Sequence, residues 1–146
     1  MAEHATLRSS VIHLLHRAGQ RADDLFTRAV AGLDVTPRQF VVLLAVSEAE
    51  GLSQTDIMDA TGIDRSSTAD LVRRLIKKRF LRRRRAGRDT RSYEVRLTPQ
   101  GQQVLTRARP AVLAAERRLL ALLSSQDRAR ALSILKQLVA APAATG

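Results

Sequence analysis

No cysteine occurs anywhere in the 146 residues, so disulfides, thiolate metal ligands and thiol-based redox sensing are excluded. Tryptophan is missing too, and Phe26, Phe40, Phe80 and Tyr93 are the only aromatic residues. Surfaces that hold single strands or RNA by stacking bases interleave rings with cations, and this chain has too few rings for that. Duplex DNA needs no such platforms. No apolar run approaches the length of a membrane span, and the start, MAEHATLRSS, lacks the apolar core of a signal peptide. The expected location is the cytoplasm. Acidic residues are scattered, there is no glycine-rich phosphate loop, and Ser66-Ser67 has no histidine beside it in sequence. The expectation is therefore a protein that is not an enzyme and carries no cofactor.

What is present is positive charge, and it is concentrated. Between residues 73 and 96 lie Arg73, Arg74, Lys77, Lys78, Arg79, Arg82, Arg83, Arg84, Arg85, Arg88, Arg91 and Arg96, opposed only by Asp89 and Glu94. This segment carries nearly all of the formal net charge of +11. Cations gathered in one segment of an otherwise near-neutral chain indicate a localised polyanion-binding surface, most simply for DNA.

The chain around that segment reads as helices. Apolar residues recur in steps of three and four from Leu7 to Leu33, which predicts one long amphipathic helix ending near Gly32. Thr36-Pro37-Arg38-Gln39 is a helix start with a capping residue, a first-turn proline and a capping-box glutamine, and the helix it opens closes near Glu50-Gly51. Ser53 to Thr61 forms a shorter helix, with Asp56 completing a second box and Ile57 and Ala60 inward. Gly62 breaks it, and the next helix runs from Asp64 to about Lys78 with Ala69, Leu71, Val72, Leu75 and Ile76 as its buried stripe. A short helix, a glycine turn and a second helix make a helix-turn-helix, whose second helix presents its N-terminal residues to the major groove.

Phe80–Arg85 and Ser92–Thr98 read as two strands around a basic turn. Thr98-Pro99 opens a long helix containing Pro110, where a kink is expected, and Ser124-Ser125-Gln126-Asp127 caps a last helix before a frayed tail from Ala140.

Taken together, Leu52-Ser53-Gln54-x-x-Ile57, Gly62-Ile63-Asp64, and Asp89-x-Arg91 followed by Val95-x-Leu97-Thr98-x-x-Gly101 make the chain resemble the MarR family of winged-helix transcriptional regulators over nearly its full length. The resemblance implies a mainly α fold with a small β wing. A first dimerisation helix would span 1–34, a winged helix-turn-helix 35–98 and C-terminal dimerisation helices 99–146. It also implies a homodimer on a near-palindromic operator, with the helix from Asp64 in the major groove and the wing in the minor groove, where Arg91 enters and Asp89 helps hold it. The candidate DNA contacts are Ser53, Gln54, Arg65, Ser66, Ser67, Thr68, Asp70, Arg73, Arg74, Lys77, Arg88, Asp89 and Arg91. Arg65 suits either a guanine edge or a phosphate. Serine and threonine at the helix start suit phosphate contacts or simple capping.

One departure from the family is Arg79, which stands where glycine is usual between the recognition helix and the first wing strand. If the backbone there is left-handed, a side chain costs on the order of 1 kcal/mol.

The family commonly binds a small-molecule effector, often an aromatic carboxylate or other small anion, in a cavity bounded by the first, second and fifth helices. His13, His16, Arg17 and Arg38 are the polar residues considered for it, a surface ion pair being the plainer role for the two arginines. His13 and His16 are three apart and share a helix face, which would supply two metal ligands. With no cysteine and no evident acidic third ligand, no metal site is assigned. The reading is thus a DNA-binding repressor released by an effector, with a non-specific architectural DNA-binding protein or a metal-responsive regulator as alternatives.

Overall fold

The computed structural model describes residues 6–49, 51–87 and 92–140. Helix α1 (Val11–Ala29) starts four residues later than the periodicity from Leu7 suggests, because Thr6 and Ser9 fold into a hydrogen-bonded turn and Ser10 takes the cap. The Ser10 hydroxyl accepts the His13 amide at 3.2 Å. Helix α2 (Pro37–Ser47) opens on the expected capping box. The Thr36 hydroxyl accepts the Gln39 amide and the Gln39 side chain accepts the Thr36 amide, both at 3.2 Å. Its apolar run buries Phe40, Val42, Leu43 and Val46, and it ends three residues short of Glu50.

Helix α3 (Gln54–Thr61) repeats the device with Ser53 and Asp56, and stops at Gly62, whose φ of +72° closes the helix in the left-handed conformation. Ile57 points inward as expected, whereas Ala60 is exposed; Ile57 is the one residue that this short helix buries. Helix α4 (Arg65–Lys77) is capped by Asp64 and buries Val72 and Leu75. Strands β1 (Leu81–Arg85) and β2 (Tyr93–Leu97) pair antiparallel, in register from Leu81 opposite Leu97 to Arg85 opposite Tyr93. Leu52 bridges the other edge of β2 through two backbone bonds with Val95, of 2.7 and 3.2 Å, which leaves β1 as the outer edge.

Helix α5 (Pro99–Leu119) is capped by Thr98 and runs through Pro110 as one helix. Helix α6 (Ser125–Ala140) follows, the Ser124 hydroxyl accepting the Asp127 amide at 3.1 Å. The core lies where α2, α3, α4 and α5 meet the two strands, and Leu43, Ile57, Leu75, Leu81 and Leu105 are its largest fully buried side chains. Helix α1 joins by lying along α5 and placing Phe26 against Phe40, ring centres 5.6 Å apart. The fold is thus mainly helical with a two-stranded wing, as the sequence implies. Among the described residues, α6 buries none, and no helix is long and apolar enough to cross a membrane.

Candidate nucleic-acid interface and cavity

The turn between α3 and α4 is built by short-range chemistry. Gly62 reverses the chain, and the Asp64 carboxylate then accepts the Ser67 amide at 2.8 Å, the Ser67 hydroxyl at 2.8 Å and the Ser66 hydroxyl at 3.0 Å. These bonds, the Ser67 amide first, lower the Asp64 pKa to about 2. The Asp56 carboxyl is lowered for the same reason, first by the Ser53 amide and then by the Ser53 hydroxyl. Ser66 and Ser67 therefore spend their hydroxyl protons on the cap, and a phosphate would have to compete with Asp64 for them. Ser53 and Gln54 are half-buried at the start of α3, with Ser53 engaged in its box.

Thr68 corrects the expectation of a DNA contact. It is fully buried, and its hydroxyl donates to the Ile63 carbonyl at 3.3 Å, so it locks the turn from inside. Arg65 is exposed at the first position of α4. One turn on, Asp70 pairs with Arg73 and, at 2.8 Å, with Arg74. These arginines and Lys77 stand on the solvent side of α4.

Arg82, Arg83, Arg84 and Arg85 are all exposed along β1, on the outer edge of the wing, and extend the basic surface beyond α4. Opposite Arg82 and Arg84 on β2 lie Arg96 and Glu94, which pair with each other at 2.9 Å. The expected tip contacts Arg88, Asp89 and Arg91 lie outside the described residues. Arg79 does adopt the left-handed conformation, with φ of +64°, and its carbonyl accepts the Thr98 hydroxyl. Asp34 is the other such non-glycine residue among those described, with φ of +51°.

Between α1, α2 and α5 lies a cavity of about 270 Å³, walled by Leu25, Phe26, Phe40, Leu44, Val112 and Leu119, with Asp23 and Glu116 also on its lining. The helices that bound it are the expected ones, but the polar residues are not. His13, His16, Arg17 and Arg38 are absent from its described lining. The first three sit on the N-terminal half of α1, ahead of the residues that face α2. Arg38 faces another way, into a groove shared with Ser66, Ser67, Asp70 and Leu71, which places it beside the start of α4. Among the described residues no group of three or more His, Asp or Glu could hold a metal ion.

Two features escaped the sequence reading. One is Arg38 next to α4, for which no local pattern gives a sign. The other is Lys78, whose side chain turns back to Asp34 and Gln39. A sign was present there, since Lys78 follows Leu71 by seven residues and Leu75 by three, which puts it on the buried stripe of its helix.

Comparison with known proteins agrees with this geometry. A family model described as the MarR family matches residues 33–92, which cover the helix-turn-helix and the first wing strand. A Thauera aromatica protein named for transcriptional regulation of the hcr operon is 30% identical over 136 residues, covering 92% of this chain and 82% of the relative. The structure of the transcriptional repressor CouR bound to a 23-mer DNA duplex superposes with a TM-score of 0.84 and 30% identity, covering 94% of this chain and 99% of the other. That of Bordetella bronchiseptica BpsR, whose DNA binding is regulated by 6-hydroxynicotinic acid, gives a TM-score of 0.85 and 27% identity over 95% of this chain and 100% of that one. With its basic helix-turn-helix, its arginine-edged wing and these relatives, the chain belongs to the MarR family of DNA-binding transcriptional regulators.

Proposed function

We propose that the protein is a homodimeric repressor that holds a near-palindromic operator and is released from it by a small aromatic effector. The observation that carries the DNA part is the continuity of exposed cation from Arg65 through Arg73, Arg74 and Lys77 to Arg82–Arg85. In this reading α4 lies in the major groove, with Arg65 closest to base edges, and the wing follows the backbone into the adjacent minor groove, carrying Arg88, Asp89 and Arg91. Ser53, Gln54, Ser66 and Ser67 hold the start of the pair against phosphates, and Arg38 joins them from α2. CouR, called a repressor and bound to duplex DNA, supports both the docking and the sign of regulation.

The dimer is supported by apolar surface without an internal partner. Leu7, in the turn before α1, and Val11, Ile12, Leu14 and Leu15 at its start are exposed, as are Leu132, Ile134, Leu135, Leu138 and Val139 along α6. Patches of that extent mark an interaction face. Residues 1–34 and 99–146 would thus dimerise and 35–98 bind DNA. Leu135→Glu with Leu138→Glu is expected to give monomers by sedimentation and to weaken operator binding strongly. Dimers that persist would place the interface elsewhere.

The effector site is the cavity between α1, α2 and α5, whose walls suit an aromatic ring, as the regulation of BpsR by 6-hydroxynicotinic acid suggests. An anionic substituent would need cations from outside the described lining, and His13, His16 and Arg17 stay candidates for that once two copies assemble. A ligand wedged there would change the separation of the two α4 helices, which must match one DNA turn of about 34 Å. The deciding experiment is selection of bound sequences from a random duplex library at near-physiological salt. A palindrome with half-sites about one turn apart is expected. Recovery of no motif would point to non-specific coating of DNA instead.

A further inference from the structure

Lys78 follows the cations Arg73, Arg74 and Lys77 as the C-cap of α4. Its surroundings are different from theirs. The Lys78 ammonium donates to the Asp34 carbonyl at 2.7 Å, to the Asp34 carboxylate at 3.1 Å and to Gln39 Oε1 at 3.0 Å. Three acceptors occupy all three of its donors. The side chain is 25% exposed, against 73% for Arg73 and 65% for Arg74.

The acceptors belong to a fixed piece of structure. Gln39 is buried, and the same Oε1 also accepts the Thr36 amide within the cap of α2. Asp34 holds a left-handed backbone, which costs a non-glycine residue on the order of 1 kcal/mol and persists only where its surroundings enforce it. Both acceptors it offers here go to Lys78. The far side of the same first turn of α2, through Pro37 and Phe40, lines the cavity.

We propose that Lys78 is a positioning residue for operator recognition: it ties the C-terminal end of α4 to the turn between α1 and α2 and so sets the angle at which α4 meets DNA, without itself binding phosphate. This rests on the proposed reading of α4 as the helix that enters the major groove. The two roles for Lys78 predict opposite effects at Asp34. If Lys78 bound phosphate, deleting the neighbouring acid would free it and strengthen DNA binding. If Lys78 is a strut, deleting the acid removes the one charged member of its three acceptors, leaving the Asp34 carbonyl and Gln39, and so loosens the tie and weakens recognition.

The test compares wild type, Lys78→Met, Asp34→Gly and the double variant on the selected duplex and on a scrambled duplex across a range of salt. Methionine keeps most of the lysine stem, and glycine accepts the positive φ at position 34. As a strut, Lys78 gives about tenfold weaker binding to the selected duplex in Lys78→Met and a smaller loss in Asp34→Gly, which keeps two of the three bonds, with little change on scrambled DNA, an unaltered salt slope and a double variant no worse than Lys78→Met. A salt slope reduced by about 1 per protomer in Lys78→Met, or tighter binding in Asp34→Gly, overturns the proposal, as does unchanged affinity in both. If Lys78→Met fails to fold, as its melting curve will show, the sign of the Asp34→Gly effect decides alone. Wild type that does not prefer the selected duplex would instead overturn the reading of α4, and the role of Lys78 would fall with it.

Discussion

Single residues on the DNA side of this molecule trade stability against charge, and Arg79 is the sharpest case. Its backbone is left-handed, with φ of +64°, and its side chain is exposed, so nothing in the packing of the fold favours arginine there. Glycine would adopt the same backbone without a steric penalty. Arg79→Gly is therefore expected to stabilise the free protein by about 1 kcal/mol in denaturant titrations and at the same time to weaken DNA binding by removing a cation. A variant that is stabilised but binds DNA as well as wild type would show that the charge at 79 has no part in binding. Asp64 works in the opposite direction, because it gains from the native state. Its folded pKa lies near 2, below its ordinary value of 3.8, so its contribution is complete above that ordinary value and is lost as pH falls toward the folded one. Asparagine caps as well but does not titrate. The difference in melting temperature between wild type and Asp64→Asn should move in favour of the variant as pH drops from about 4 to about 2. A difference independent of pH would mean that Asp64 is not titrating as a cap.

At the scale of elements, what could be read from the sequence was what neighbours in sequence decide. The boxes Thr36/Gln39 and Ser53/Asp56 and the cap Thr98 span three residues each, and all are formed, whereas the cap that Asp64 supplies to α4 is seen only in the structure. Periodicity and caps likewise located the helices and strands of the described residues, with errors of a few residues at the ends of α1 and α2. What was not legible depends on how elements meet. Thr68 looks from its neighbours like part of an exposed serine-threonine run, and only the packing of α4 turns it inward. Arg38 stands on a helix that bounds the cavity, yet the rotation of α2 turns it to Ser66, Ser67, Asp70 and Leu71 instead. The joint between α5 and the Phe80 backbone, which leads from α4 into β1, shows the same dependence and can be tested. A Cβ on Gly101 would lie 2.0 Å from the Phe80 carbonyl oxygen, closer than any real contact. That carbonyl accepts the Thr98 amide at 3.1 Å at the start of α5. Gly101→Ala must push α5 away from the Phe80 backbone and should cost about 2–3 kcal/mol of stability by calorimetry or denaturant titration, a loss out of proportion to one methyl group. A nearly neutral alanine variant would mean that α5 and the Phe80 backbone are not held as closely as this.

For the whole molecule, the distribution of charge sets how it finds and leaves DNA. The formal net charge is +11, and the exposed members of the basic segment among the described residues lie on α4, at Arg79 just after it, and on β1, the outer strand of the wing. Arginines on that edge block pairing with another strand, because like charges would be brought together, so they have a protective role even without DNA. If that were their only role, removing two would leave DNA affinity and its salt dependence intact. If they lie along the backbone, each phosphate they neutralise releases a counterion, and the logarithm of affinity falls with the logarithm of salt with a slope of about −0.9 per phosphate. A dimer neutralising on the order of eight phosphates would then show a slope near about −7. Arg82→Ala with Arg84→Ala removes two cations from each protomer and should flatten that slope by up to about 4, equally on selected and scrambled duplexes, because backbone contacts carry no sequence information. Arg65→Ala should behave differently, losing more on the selected duplex than on the scrambled one if it reaches a base edge. The contrast between those two variants separates grip from reading, and a wing whose arginines can be removed without changing the slope would limit the DNA surface to α4 and the tip of the hairpin.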